Sequence, residues 1–538
     1  MKRIMFCIFL FSIFAFSGCG GSDDSADTNN ANNVNNVNNT NSNTNNSEIN
    51  NANNRNNYNN LNNTNNLNNT NNLNNTNNTN NTNNLTQQEL ICLDATGVET
   101  TFFMSADDSN SQAQPAFIRD LILNNYYNGA NAYFSYGNNP REYEYLNYYD
   151  FDYEPATSGT LSIVPELKFN PGTQEYSFLT GVVAPSFELA ERRPFNFTFS
   201  CDTSGSMGGL AIASLKDSLR ALAAVMKDGD IVSVVDWNTS QNIILDGHEI
   251  TGPNDPAFLE TIDGLSASGG TNLNAGLEAA YELANLNYSS DKINRVFLIS
   301  DGGANVGVTD AQLIGDQAEF NETDGIFLVG IGTANLTGHE LMDTVTDMGK
   351  GAYLYIPDED EAYRVFNEEK LLSNVEVAAL DVRLEVTFPP YLVISEFHGE
   401  EISTNPEEVK EQHLAPNDAM LYHSNLLMCP PEEMTREELE DTDIILKVTW
   451  TDPFTREEYF EEITVNIADL LDTEAVNLEK ANILIEYAHL LSNFDQIDNE
   501  AEFEETKLGL ITRIQSHPNY STDPDLTELE TVLQNYQF

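Results

Sequence analysis

Phe195-Asn196-Phe197-Thr198-Phe199-Ser200-Cys201-Asp202-Thr203-Ser204-Gly205-Ser206-Met207 joins an apolar strand to a cluster of oxygen-bearing side chains. Phe195–Cys201 reads as the strand. Asp202, Ser204 and Ser206 then alternate along the chain, and a tight turn at Gly205 lets the three face one point. Leu210–Met226 follows with helical spacing, Leu215, Leu219, Leu222 and Val225 recurring near a 3.6 period.

Working outward, strand and helix alternate. Strands are predicted at Ile231–Asp236, Asn242–Leu245, Val296–Ser300, Ile326–Ile331 and Ala352–Ile356. Helices are predicted at Asn272–Leu286, Ala311–Phe320, His339–Met348 and Asp360–Phe366. The alternation implies an α/β fold over residues 191–370, a Rossmann-like, doubly wound, mostly parallel sheet covered on both faces. Ligands in such sheets bind beyond the carboxyl ends of the strands, at a topological switch point. Two further candidate residues lie where that rule places them. Thr271 sits in Gly269-Gly270-Thr271-Asn272-Leu273 at the opening of a helix, and Asp301 closes the strand Val296–Ser300.

Asp202, Ser204, Ser206, Thr271 and Asp301 offer carboxylate and hydroxyl oxygens, with no His or Cys among them. That is a hard-oxygen donor set, suited to Mg²⁺, with Mn²⁺ or Ca²⁺ as alternatives. Two carboxylates roughly neutralise the ion. The neutral hydroxyls fill other positions without adding charge, so the ion stays electrophilic towards another anion.

The pattern resembles the metal-ion-dependent adhesion site of von Willebrand factor type A domains. The resemblance implies that Ser204 and Ser206 bind the metal directly, that Asp202 and Asp301 act directly or through water, and that Thr271 joins when the site is engaged. It also implies an open metal position for an Asp or Glu of a partner protein, hence recognition rather than catalysis. The resemblance extends further. Thr101–Ser109, Asn147–Tyr153 and Arg193-Pro194-Phe195-Asn196 are similar to bacterial envelope lipoproteins with an internal type A domain between N-terminal and C-terminal extensions. Between about Glu396 and Gln412 the chain departs from that pattern.

The N-terminus fits such a placement. Lys2 and Arg3 precede an apolar run, Ile4–Phe16, too short to span a bilayer comfortably, and Phe16-Ser17-Gly18-Cys19 resembles a bacterial lipobox. Residues 1–19 are read as a lipoprotein signal peptide, with lipidation at Cys19 giving a stable membrane anchor. The expected location is the bacterial cell envelope. Gly20 after the cysteine favours the outer membrane over the inner one, and the periplasmic or surface side is left open. Residues 20–86 are nearly all Asn from about Asn29 to Leu85, and cannot bury enough apolar surface to fold. They read as a disordered tether spanning roughly 40–45 Å as a coil. A stacked Asn ladder is the alternative.

Residues 87–190 read as an N-terminal α+β segment. A helix is expected at Ala116–Asn125, strands at Thr160–Leu167 and Tyr176–Val183, and an aromatic block spans Arg141–Tyr153. Core packing of that block is favoured over a carbohydrate surface, and the adjacent Asp107 and Asp108 are weak grounds for a second cation site. Residues 371–470 carry five strand-like runs and read as a β-sandwich-like region; residues 471–538 read as helical, with amphipathic runs at Ala475–Leu491 and Glu502–Ser516.

The 84 acidic against 24 basic residues give a net charge of −60, which argues against nucleic acid as a partner. Outside the signal segment the cysteines are Cys92, Cys201 and Cys429. Cys201 reads as a small core residue, and a Cys92–Cys429 disulfide is one option for the other two. An enzyme is not expected. Gly247-His248-Glu249-Ile250 and Gly338-His339-Glu340-Leu341-Met342-Asp343 both lack the second His of a zinc protease motif, and no nucleophile elbow or phosphate loop is found. The signal segment argues against a subunit of a cytoplasmic chelatase-type ATPase. The expected function is a metal-dependent adhesion or scaffold module on the envelope. The alternative is a structural envelope lipoprotein whose metal only stabilises the fold.

Overall fold

The computed structural model describes residues 86–302, 325–334 and 339–537, apart from 94, 96, 108–110, 125–132, 134–139, 432–433 and 493–498. The signal segment with Cys19, the Asn-rich run, Asp108 and the expected helix at Ala311–Phe320 lie outside the described residues. Those described belong to one compact unit within Thr70–Phe538. Among them no helix is long and apolar enough to cross a membrane.

The described chain begins with a short helix at Gln87–Cys92, followed by β1 (Thr100–Ser105), α1 (Ala113–Leu123) and α2 (Glu142–Tyr148). A hairpin follows, β2 (Ser162–Asn170) and β3 (Glu175–Val183), leading into β4 (Phe195–Asp202). Next come α3 (Leu210–Val225), β5 (Ile231–Trp237), β6 (Gln241–Glu249), α4 (Pro256–Gly264), α5 (Leu273–Leu286) and β7 (Ile293–Ser300). After β7 the described elements are β8 (Phe327–Thr333), α6 (His339–Met348), β9 (Tyr353–Ile356) and α7 (Glu359–Val365).

These middle strands form one sheet in the order β6-β5-β4-β7-β8-β9. Every neighbouring pair is parallel except β5–β6, which is antiparallel. The chain winds from β4 outward through β5 to β6, then returns to the other side of β4 for β7, β8 and β9. The order therefore reverses beside β4, the position where a doubly wound sheet opens a crevice at its carboxyl ends. β4 is the central strand and it alternates. Phe195, Phe197, Phe199 and Cys201 pack in one core with Leu215 and Leu219 of α3 and Phe258 of α4. The intervening Asn196 and Ser200 are buried and hydrogen-bonded: Asn196 Nδ2 donates to Asn294 Oδ1 at 2.9 Å, and Ser200 Oγ accepts from Trp237 Nε1 at 2.9 Å.

Beyond this sheet the chain continues through β10 (Ala379–Phe388), β11 (Leu392–Phe397), β12 (Glu401–Ser403), β13 (Gln412–Leu414), β14 (Ala419–Met428), β15 (Asp443–Thr451) and β16 (Glu458–Asn466). It ends in α8 (Val476–Ser492), α9 (Glu500–Ser516) and α10 (Pro524–Asn535). The strands form two antiparallel sheets, β12-β1-β10-β15-β16 with β13 on β10, and β11-β14-β3-β2. Met104 and Leu384 of the first share a core with Phe178, Val182 and Tyr422 of the second. The sandwich is real, but residues 371–470 do not make it alone, and residues 87–190 are not a separate segment. β1 lies between β12 and β10, while β3 lies between β14 and β2. The α/β unit is thus inserted between β3 and β10 of one sandwich. The period of two in a strand says which face is buried but not which distant strand is its neighbour, so the pairing of the two flanking stretches into one sandwich could not be read from pattern alone.

Helices α5 and α6 cover the second face of the parallel sheet, α1 packs on its β9 edge, and the terminal helices extend the same core from there. Val235, Val296, Leu298 and Leu328 of that sheet share a core with α5, α1, α2 and the helices α8–α10. The aromatic block belongs here: Tyr145, Tyr148 and Tyr149 are buried in this core. Asp107 holds a turn rather than showing an ion-like setting, its Oδ2 accepting from Ser111 N at 2.6 Å and Asn147 Nδ2 at 2.7 Å. Cys92 and Cys429 form a disulfide with Cα atoms 5.4 Å apart, and Cys201 is a buried thiol.

Candidate metal centre

β4 ends at Asp202, and the chain turns through one 3₁₀ turn at Gly205–Met207 before α3 begins. Both carboxylate oxygens of Asp202 are held. Oδ1 accepts from the Ser204 backbone N–H at 2.8 Å, and Oδ2 accepts from the Ser300 hydroxyl at 2.7 Å. Ser204 Oγ and Ser206 Oγ lie 3.0 Å apart, so the two hydroxyls do face a common point. Asp202 and Ser204 are fully buried, whereas Ser206 is exposed, so the cluster opens to solvent on the Ser206 side.

A second loop is stapled against this turn. Ser268 N donates to Thr203 O at 2.7 Å, and Gly205 N donates back to Gly269 O at 3.1 Å. Gly205 earns its place differently from the sequence-based expectation. Its φ is not positive; a Cβ there would stand 3.1 Å from Gly269 O, so it permits close approach of two backbones. The positive φ belongs to Gly269, at +83°. Thr271 follows on that loop, buried, and Asn272 caps α5 by accepting from Ala275 N at 3.4 Å. A third segment, after β5, supports both: Thr203 N donates to Trp237 O at 2.8 Å, Asn272 N to Asn238 O at 2.7 Å, and Gly270 N to Thr239 Oγ1 at 2.8 Å.

Asp301 is buried one residue beyond β7, next to the Ser300 that binds Asp202. Burial pushes the Asp202 carboxyl up to about 6, against the lowering effect of its Ser300 and Ser204 hydrogen bonds, and the negative charge of Asp301 pushes in the same direction as burial. Two buried carboxylates of like charge, beside hydroxyls converging on one opening, are a setting that a cation relieves. With only oxygen donors in the set, the residues fit a hard divalent ion.

The five residues singled out from sequence thus sit on three loops at the carboxyl end of one sheet. Sequence reading missed Ser300, which orients Asp202, and the Trp237–Thr239 segment, which props the other two loops. Ser300 stood in plain view beside Asp301, at the end of the same strand. His248 of the first His-Glu pair has a local role: its ring Nε2 is 2.8 Å from Asp255 Oδ1, and Asp255 caps α4.

A family model described as the von Willebrand factor type A domain matches residues 197–304, the stretch that carries all five residues. Residues 197–304 are a von Willebrand factor type A domain. The chain is 30% identical over 258 residues to an uncharacterized Escherichia coli protein, YfbK, covering 46% of this chain and 44% of that one. It is 23% identical over 223 residues to the uncharacterized protein sll0103 of Synechocystis, covering 41% and 52% respectively. The chain therefore spans about half the length of these curated relatives. Among solved structures, a von Willebrand factor type A protein from Catenulispora acidiphila is similar at 13% identity and a TM-score of 0.44, covering 68% of this chain and 88% of that one.

Proposed function

We propose that this type A domain protein is a metal-dependent protein-binding module, not an enzyme, tethered to a bacterial envelope and recognising an Asp or Glu side chain of a partner. The observation that carries the reading is the half-open oxygen cluster. Asp202 and Ser204 are buried and oriented by fixed hydrogen bonds, while Ser206 beside them meets solvent. A bound Mg²⁺ would supply the positive centre that an incoming carboxylate needs on so acidic a chain. Ser204, Ser206 and Thr271 would hold it with neutral oxygens, and Asp202 and Asp301 would neutralise it. Ser300 fixes the Asp202 carboxylate by donating to its Oδ2, and Asp202 itself is buried. Envelope placement is supported by the lipobox-like Phe16–Cys19 and by the Cys92–Cys429 disulfide, a bond that persists in oxidising compartments.

The test is capture of envelope proteins on the purified chain with Mg²⁺ or with chelator, repeated with Asp202→Ala and Thr271→Val. A partner lost on chelation and in both variants is expected. A partner retained equally in all conditions refutes the metal-gated reading. A Cys19→Ser change tests the anchor, the expected result being release of the protein from the membrane fraction.

A further inference from the structure

We propose that Glu142, His398 and His489 form a second divalent-metal site, of zinc type, at the junction of α2, the end of β11 and α8. One ligand atom from each of the three lies within 4.8 Å of the others. His489 Nε2 is 2.9 Å from Glu142 Oε1, and the rings of His398 and His489 have centroids 5.9 Å apart. Tetrahedral zinc with bonds of about 2.0–2.1 Å holds its ligand atoms about 3.3 Å apart, so the cluster needs only a modest contraction. Glu142 and His489 are partly exposed and can supply it by side-chain rotation, while His398 is buried and fixes the inner corner.

The surroundings strengthen the assignment. Glu396 Oε2 lies 3.5 Å from His398 Nε2 and gives a fourth donor, an oxygen, at the rim. His423 is buried with its ring centroid 4.9 Å from that of His398. Its Nε2 pairs with Asn482 Oδ1 at 2.8 Å, and its Nδ1 has no hydrogen-bond partner among the described residues. Three of the seven histidines in the chain thus meet in one place. Imidazole nitrogens with one carboxylate suit Zn²⁺ better than Mg²⁺, which separates this site by chemistry from the all-oxygen cluster. Glu396 and His398 also fall in the stretch where the sequence departs from the envelope lipoproteins it resembles. The ligands come from the N-terminal helices, the sandwich and the C-terminal helices, so a bound ion would clamp three distant parts of the chain and couple its affinity to folding.

The experiment uses the full chain carrying Asp202→Ala, which silences the first site, stripped with chelator and titrated with Zn²⁺ against a chromophoric competitor. One tight equivalent is expected, and Co²⁺ substituted for it should give the visible absorption of a four-coordinate ion. Adding His489→Gln or Glu142→Gln, both at partly exposed positions, should weaken Zn²⁺ binding at least tenfold while circular dichroism and the melting transition of the metal-free protein stay unchanged. Folded Asp202→Ala protein that takes up no Zn²⁺ at micromolar concentration, or that binds equally with either added change, overturns the proposal.

Discussion

At the scale of single residues, Asp202 links the candidate site to stability. Its folded carboxyl titrates near 6, above its ordinary 3.8. The native state therefore holds a proton that the unfolded chain has released between those values, and stability falls as pH rises through that window. The loss levels off above about pH 7, at about 3 kcal/mol by linkage. In metal-free protein, the difference in urea stability between the parent and Asp202→Asn should shift by about that amount between pH 4 and 7.5, with Asn favoured at the higher pH. Added Mg²⁺ should restore the parent only. A pH-independent difference would show that burial of Asp202 carries no such cost. Arg192 and Asp230 make a different kind of buried pair: Nη1 and Nη2 donate to Oδ1 and Oδ2 at 2.8 and 2.6 Å, and Asp230 also accepts from the N–H groups of Phe195 and Lys227. Asp230→Ala should cost about 3–5 kcal/mol in denaturant titrations, because it strands a buried guanidinium and the entry of β4. The placement of Asp202, Ser204, Ser206, Thr271 and Asp301 at strand ends and loop openings was legible in the sequence from the strand and helix pattern around them. Ser300 was not, since a lone hydroxyl at a strand end has no signature until its partner, 98 residues away, is placed beside it.

Among elements, the strands of the parallel sheet and the long helices stood out by period, with ends within a few residues of the expectation. Among the helices passed over is α4, and α10 was not delimited within the helical C-terminal stretch, although both announce themselves. Each opens with Asp-Pro: Asp255 accepts from Ala257 N and Phe258 N, Asp523 accepts from Asp525 N, and the proline occupies the first turn where no amide is needed. Their apolar stripes are short, so periodicity was weak where capping chemistry was strong. α5 shows how tightly an element can be tied to the site. A Cβ on Gly276 would stand 2.2 Å from Cδ1 of Trp237, the residue whose carbonyl holds Thr203. Gly276→Ala should destabilise by about 1–3 kcal/mol and weaken Mg²⁺ binding together, since relief requires the Trp237 strand end to move. Calorimetry of metal binding alongside chemical unfolding checks both; a stability loss with unaltered Mg²⁺ affinity would disconnect the two.

For the whole molecule, composition and pattern conveyed the α/β class and the presence of a β-rich partner, but not that one is threaded through the other. Strand pairing across more than two hundred residues, such as β1 with β10, has no local trace. The insertion makes a prediction about dissection. A fragment limited to residues 191–370 would expose Tyr353 and Tyr355 of β9, where α1 now packs, and would leave buried Glu361 without Arg119. It should bind hydrophobic dyes and self-associate by light scattering, whereas residues 87–538 should remain monodisperse. A well-behaved monomeric fragment would show that the covering helices are dispensable.

The disulfide joins two points 337 residues apart in the chain. Mechanically, it is a bypass. A pull applied at the two ends of the protein travels from Cys92 straight to Cys429, and everything between them, the oxygen cluster included, carries no tension. Among the described elements, the short helix Gln87–Cys92 and those after Cys429, β15, β16 and the terminal helices among them, lie in the line of force. Held in optical tweezers, the oxidised protein should extend only by the parts outside the Cys92–Cys429 loop, and reductant should release the long hidden loop. In the proposed binding module, this arrangement would keep the geometry of the oxygen cluster independent of a pull on the ends of the chain.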